Sequence, residues 1–482
     1  RHALPWGASG RPWNPVLLSH GGHMVGGSRP RALWARARSG RLVAAAERGG
    51  SGLALAHQSW AALPRPEAAS AAGRPPVPAV PPLVAALAVG AASAAGPARL
   101  LNGALREPIA PREADRCRNL SRASAKPPPL GPAATSATAT KEELLDVHAM
   151  MHRIRRMEIS CDNEYKDKNI RGFCHLYDGQ EAVAMGMRAA MTSRDNIIGT
   201  YRCHALQLMR GDTVSRIVGE LFGRAGGSSA GKGGSMHFYS KQNRFWGGAG
   251  IVGAQVPVGA GIAFADRFNA IAEGASRDGP FPITVAMFGD GAANQGQIWE
   301  AANMSKLWHL PCIFFCENNQ YGMGTSVERH SSNPRYFTQG GEAIPGIRIN
   351  GMDYLSVREG MKWAKSYVER GQPLFVEVVT YRYHGHSMSD PGITYRGKDE
   401  VKQMRETKDC IKLVSKRIVD SGWASEKELK DREKAIKAEV AKEVELARAM
   451  PLPDAEELYT HVLHNETPKF IRGIDIGSSR VA

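Results

Sequence analysis

Between positions 282 and 325 the chain reads PITVAMFGDGAANQGQIWEAANMSKLWHLPCIFFCENNQYGMGT. An apolar run from Ile283 to Phe288 ends in Gly289-Asp290-Gly291. A helix-like stretch follows from about Gln295 to Leu307, and a second apolar run, Cys312 to Cys316, ends in Glu317-Asn318-Asn319. Short, continuous apolar runs bounded by turn residues predict buried strands. Strand, helix and strand make a βαβ unit. Such a unit sets both polar clusters at the same carboxyl edge of one parallel sheet, the edge where open α/β sheets bind ligands.

The same patterning extends on both sides. Thr140-Lys-Glu-Glu143 has the form of a capping box, and Leu144, Val147, Met151, Ile154 and Met157 recur behind it at helical spacing. Further helices are predicted over about 180–191, 214–222, from the Gly-rich stretch 247–261 through about 271, and 354–370. Asn196–Tyr201 (NIIGTY) and Pro373–Thr380 (PLFVEVVT) read as strands. Residues 398–448 are highly charged and helical in pattern, and Pro451 and Pro453 break that pattern. Alternation of strands and helices from 195 to 380 predicts an α/β fold with a mainly parallel sheet flanked by helices and a helical C-terminal region. The expected organisation is a basic leader over 1–139, an α/β domain over 140–400, a helical region of the same domain over 401–462 and a peripheral tail over 463–482.

Charge changes the picture in one respect. The formal charge of +15 on 482 residues resembles a nucleic-acid signal. Residues 1–140, however, hold 17 Lys/Arg against 5 Asp/Glu, and the rest hold 45 against 42. The basicity belongs to the leader, so neither nucleic acid nor membrane is an expected partner. An Arg-rich, acid-poor leader predicts an organelle transit peptide; a basic tail without an address is the alternative. The Ala-rich stretch 82–95 is too short and Pro-flanked for a membrane span. Seven cysteines show no pairing framework and no zinc spacing, which predicts free thiols in a reducing compartment.

Candidate chemistry collects at the predicted strand ends. Asp290 and Asn319 offer a carboxylate and a carboxamide, oxygen donors that suit a hard divalent cation. The helix expected just after the glycines could receive a phosphate at its N-terminus, so the local chemistry suggests magnesium holding a diphosphate. The loop 223–236 (GRAGGSSAGKGGSM) could cradle phosphate or be a flexible surface loop. His175 sits in a polar, Gly-bounded loop, and Tyr381–Pro391 (YRYHGHSMSDP) reads as an exposed loop.

Gly289-Asp290-Gly291, followed after 26 residues by Asn318-Asn319, resembles the thiamine-diphosphate signature. With IRGFCHLYDGQEA, GKGGSMHFY, GIVGAQVP, ENNQYGMGTSVER and TYRYHGHSMSDPG, the chain resembles the alpha-subunit family of pyruvate dehydrogenases over about 140–460. At GIVGAQVP and in the histidine loop it follows the mitochondrial type, which agrees with the leader and implies the mitochondrial matrix. The resemblance implies the thiamine-diphosphate-binding fold and oxidative decarboxylation of pyruvate, with transfer of the acetyl unit to the lipoyl domain of a dihydrolipoyl acetyltransferase. It implies thiamine diphosphate and Mg2+ as cofactors. Asp290, Asn319 and the Tyr321 carbonyl would ligate the cation, with Gly291 and Ala292 presenting backbone to the diphosphate. Tyr201, Arg202, Arg382 and His386 would anchor the diphosphate, and Gly250 and Val252 would contact the pyrimidine. His175 and His386 would face the reaction. No Glu here matches the acid that activates the cofactor; the family supplies it from a beta subunit, in assemblies of two alpha and two beta chains. Ser387 and Ser326 match sites acted on by a regulatory kinase and phosphatase, and Thr394 stands where relatives often have Ser. The alternatives are a branched-chain 2-oxoacid dehydrogenase subunit or a non-catalytic, cofactor-binding regulatory subunit.

Overall fold

The computed structural model describes Ala3–Leu4 and residues 136–461. The expectations for the tail 463–482, and for nearly all of the leader 1–139, concern residues outside these. The described core begins slightly before the expected Thr140: Ala137 and Ala139 are buried, and Ala137–Thr138 pairs antiparallel with Ala3–Leu4.

Five strands form the central sheet: β1 (Asn196–Ile198), β2 (Thr284–Gly289), β3 (Cys312–Asn318), β4 (Gly346–Asn350) and β5 (Leu374–Val379). Their spatial order is β1-β2-β3-β5-β4, and every neighbouring pair is parallel. The apolar runs are continuous because both faces are covered. Ala286, Phe288, Cys312, Phe314 and Phe375 enter one core, while Val285, Met287, Ile313, Phe315 and Val376 enter the other. The alternation follows from the two-residue period of a strand.

Among the described residues, ten α-helices longer than one turn frame the sheet: α1 (Lys141–Lys166), α2 (Glu181–Ala190), α3 (His204–Met209), α4 (Val214–Leu221), α5 (Gln255–Ala272), α6 (Gly296–Leu307), α7 (Tyr354–Val368), α8 (Lys398–Thr407), α9 (Cys410–Asp420) and α10 (Glu426–Ala449). Apolar residues of α5 and α6 (Val256, Ala260, Ile298, Ala301) share the first core; those of α1, α2, α7, α9 and α10 share the second. The Thr140 hydroxyl caps α1 by accepting from the Glu143 N–H at 3.2 Å. The reciprocal half of that capping box is not made, because the Glu143 carboxylate is drawn to Arg358 and to the Tyr354 hydroxyl at 2.6 Å. A complete box does cap α10, between Ser425 and Glu428.

The charged C-terminal helices dock through a few apolar residues and several ion pairs. Ile436, Val440 and Val444 of α10 are buried, and Arg153 reaches Glu443 at 3.0 Å. Arg155 is held between Glu181 and Asp409, which raises its pKa against the opposing effect of burial. The one-turn helix α3 and the edge strand β4 are elements the hydrophobic pattern does not predict. β4 (GIRIN) is half exposed with one buried residue, Ile349, too weak a signal between glycines. All six described cysteines are buried and free, as expected. No helix among the described residues is long and apolar enough to cross a membrane.

Candidate functional site

Register carries the two polar clusters to one edge. Gly289 at the end of β2 pairs with Glu317 on β3, so Asp290 and Asn319 leave the sheet side by side. Both are buried. Asn319 donates from Nδ2 to Gln180 Oε1 at 3.1 Å, while its Oδ1 has no partner. Asp290 accepts at Oδ2 from His330 Nε2 at 3.1 Å. A buried orphan carboxamide oxygen and a buried carboxylate with one oxygen uncommitted are donors for a hard cation. Gly291 lies against Gly322, where a Cβ added at either would meet the other's Cα at 3.1 Å. The helix does not open directly after the glycines: a single 3-10 turn, Ala292–Asn294, intervenes, and α6 starts at Gly296. The backbone beside Asp290 therefore belongs to that turn, and α6 begins within a residue of the start expected near Gln295.

Next to this edge, three rings converge from separate loops. The His175 ring lies 4.5 Å from Tyr201 and 5.2 Å from His386, and Tyr201 lies 5.4 Å from His386. Two buried guanidinium groups underlie them. Arg202 donates to the Leu176 and His386 carbonyls at 2.6 and 2.8 Å. Arg382 donates to the Met323 and His384 carbonyls at 2.6 and 3.0 Å. Neither forms an ion pair with a carboxylate among the described residues. Two buried cations held by neutral carbonyls leave a positive field that an anion could neutralise. That field is visible in the histidines. Burial, with Arg202 beside it, holds the His175 imidazole down at about 2. The same causes hold His386 at about 4. Both rings are neutral at neutral pH, and His175 Nδ1 is buried without a partner. Burial raises the Tyr201 phenol, which Arg202 pulls down and Asp290 pushes up, so rings and sheet edge share one field.

The remaining expected residues fall nearby but differ in character. Tyr321 is half-buried, with its hydroxyl 3.3 Å from the Glu400 carboxylate. Ala292 is buried. Gly250 abuts His237, and the Val252 carbonyl accepts from Gln295 Nε2 at 2.5 Å. Val252 is 43% exposed, and no hydrogen bond or ring contact joins this segment to the His–Arg cluster among the described residues. The segment Tyr381–Pro391 is not an exposed loop. Tyr381, Arg382, Tyr383 and Ser387 are buried and His386 is half-buried, because the basic and aromatic side chains point inward. Ser387 Oγ lies 2.8 Å from Ser389 Oγ, Ser326 is half-buried, and Thr394 is exposed.

The Gly-rich loop 223–236 is occupied by the protein's own carboxylate. Glu220, fully buried at the end of α4, accepts from the backbone N–H groups of Ser229, Gly231, Gly233 and Gly234 at 2.7, 2.9, 2.7 and 3.2 Å. A Cβ at Gly227 would stand 2.5 Å from Glu220 Oε2, and Gly231 holds φ +74°, so this wrap needs glycine at both. The loop is therefore no phosphate cradle. Replacing Glu220 by Gln puts an amide donor where N–H groups already point. It should cost about 2–4 kcal/mol of stability, judged from charge-assisted hydrogen bonds of roughly 1.5–3 kcal/mol each. Denaturant melts check this, and a loss under ~0.5 kcal/mol contradicts it.

Three further residues contribute, and two of them escape sequence reasoning. His330 ends a one-turn helix, Val327–His330, behind a two-stranded hairpin (Tyr321–Gly322 with Thr325–Ser326). Gln180 reaches Asn319 from the cap of α2. Glu317, on β3, accepts from the Tyr177 hydroxyl, and burial pushes its carboxyl up to about 7. The strand–loop polarity flags Glu317, but nothing local to Gln180 or His330 points at the sheet edge.

Fold and site define an α/β protein with a parallel central sheet, whose carboxyl edge carries a buried acid–amide pair near two inward-facing arginines. Residues 149–456 match the family described as Dehydrogenase E1 component, and the chain belongs to that family. It is 50% identical over 331 residues to the mitochondrial pyruvate dehydrogenase E1 component subunit alpha-1 of Arabidopsis thaliana, spanning 69% of this chain and 82% of the plant protein. It is 48% identical over 344 residues to the somatic, mitochondrial alpha subunit of Bos taurus, spanning 71% and 85%. A probable mitochondrial alpha subunit of Caenorhabditis elegans is 48% identical over 348 residues, spanning 72% and 85%.

Proposed function

We propose that the chain is a mitochondrial alpha subunit of pyruvate dehydrogenase, decarboxylating pyruvate with thiamine diphosphate and Mg2+ in a site completed by a beta subunit. The observation that supports it best is the pair of buried, carboxylate-free guanidinium groups, Arg202 and Arg382, beside the orphan Oδ1 of Asn319. Thiamine diphosphate, when bound, supplies the nucleophilic carbon and the sink for the electrons released with carbon dioxide. Asp290 and Asn319 would hold the cation, joined by the Tyr321 carbonyl, with Gly291 and Ala292 lending backbone to the diphosphate. Arg202, Arg382, Tyr201 and His386 would hold the anionic end. A planar guanidinium fork suits phosphate oxygens. Burial is the main cause of the weak basicity of His175 and His386; an anion seated there offsets the part that Arg202 adds, and so raises both. His175 is then the group to orient the oxo acid and move a proton. Gly250 and Val252 would meet the pyrimidine.

The acid that activates the cofactor has no counterpart among the matched residues, which supports a shared site with two alpha and two beta chains. The acceptor would be the lipoyl domain of a dihydrolipoyl acetyltransferase. Ser387 and Ser326 would be sites of a regulatory kinase and phosphatase. Phosphate on Ser387 adds roughly two negative charges next to the His386 carbonyl that Arg202 binds, and burial of Ser387 means the loop must open first. Substrate is tested by purifying the chain co-expressed with a beta subunit and comparing carbon dioxide release from pyruvate and from branched-chain 2-oxo acids. Preference for pyruvate by about tenfold or more in kcat/KM is expected, as a few methylenes are worth roughly 1–3 kcal/mol each. Preference for the branched-chain acids would replace pyruvate as the substrate.

A further inference from the structure

His330 touches the sheet edge from a segment outside the strand–helix–strand unit. Its Nε2 lies 3.1 Å from Asp290 Oδ2, and among the described residues no other side chain bonds the Asp290 carboxylate. An ionised carboxylate only accepts, so the ring nitrogen facing it carries the proton. The other nitrogen is then an acceptor, and Asn294 Nδ2 stands 3.4 Å from it, positioned to donate. Asn294 ends the 3-10 turn that follows Asp290, and His330 ends the one-turn helix behind the hairpin. Together they form a clamp with a fixed tautomer: amide to Nδ1, and Nε2–H to carboxylate.

The clamp has a directional consequence. Asp290 is 2% exposed, so no bulk water orients its carboxylate. Tying Oδ2 to His330 fixes the rotation of the carboxylate and leaves Oδ1 as its uncommitted oxygen. The orphan Oδ1 of Asn319 is the corresponding uncommitted oxygen across the edge. Hydrogen bonds to ligating carboxylates set ligand orientation in this way, and losing such an outer partner weakens metal affinity about 10–100-fold.

We propose that His330 is a positioning residue for the cation of the cofactor site, acting through Asp290. This rests on the reading of Asp290 as a cation ligand. The test uses the complex co-purified with its beta subunit and stripped of cation and cofactor. Mg2+ is titrated at saturating thiamine diphosphate, with cofactor binding followed by tryptophan fluorescence. His330→Ala should raise the half-saturating Mg2+ concentration about 10–100-fold with the melting temperature little changed. His330→Gln, whose amide N–H reaches the same oxygen, should return it to within about threefold, less than the 1.4 kcal/mol of a tenfold change. Wild-type Mg2+ dependence in His330→Ala overturns the proposal, as does a Gln variant no better than Ala. Asp290→Ala is the parallel control: if it too titrates like wild type, the ligand reading itself falls, and the proposal with it.

Discussion

Replacing Asp290 by Ala should weaken Mg2+-dependent binding of thiamine diphosphate by about 100-fold or more, close to 3 kcal/mol at 1.4 kcal/mol per tenfold. The reasoning is local. Asp290 is the buried carboxylate at the carboxyl end of β2, set beside Asn319 by the parallel register of Gly289 with Glu317. Losing an outer partner of a metal ligand already costs about 10–100-fold, so losing a charged ligand should meet or exceed the upper end. The variant should fold, because Asp290 spans no core: its one side-chain bond goes to half-buried His330. Calorimetric titration of cofactor with and without Mg2+ checks the effect. Wild-type affinity in Asp290→Ala would remove the cation from this edge.

The second large effect is expected at His175. Exchange for Ala should lower kcat about 10²–10⁴-fold, the range for a lost acid–base group, with cofactor affinity changed far less. His175 packs on Tyr201 and His386 and makes no hydrogen bond from its buried Nδ1. Removing the ring therefore breaks no hydrogen bond at Nδ1 and costs the fold its aromatic packing on Tyr201 and His386. The imidazole at about 2 without bound anion is a poor base. The pH profile of kcat/KM should accordingly report a higher value once the diphosphate is seated, since the anion opposes Arg202. A His175→Ala enzyme within about threefold of wild-type kcat would fall well short of the 10²-fold floor and contradict the assignment.

These two residues also mark how far the chain was legible before folding. Asp290 and Asn319 were readable because glycine and polar residues interrupt long apolar runs, and a parallel register fixes where such interruptions meet. The arginines were readable only through motif, and their surroundings were misread. A segment rich in Arg, His and Tyr looks solvated, yet Tyr381–Ser387 turns inward, with Arg382 binding the His384 and Met323 carbonyls. The Gly-rich loop reads as either a phosphate cradle or a flexible surface loop, and the anion that fills it, Glu220, sits upstream on a helix where nothing local ties it to the loop. Edge strand β4 lacks a second buried face and so lacks the apolar run that revealed β2, β3 and β5. His330 and Gln180 contribute through tertiary paths alone, which hydrophobic period cannot encode.

Half of a shared site is the central reading, and one assay addresses it directly. Carbon dioxide release from pyruvate is measured for the chain purified with and without a co-expressed beta subunit, after removal of cation and cofactor, with each restored in turn. Activity should appear only when both chains, Mg2+ and thiamine diphosphate are present together. Full turnover by this chain without a partner, or by the complex in the presence of a chelator, would contradict it.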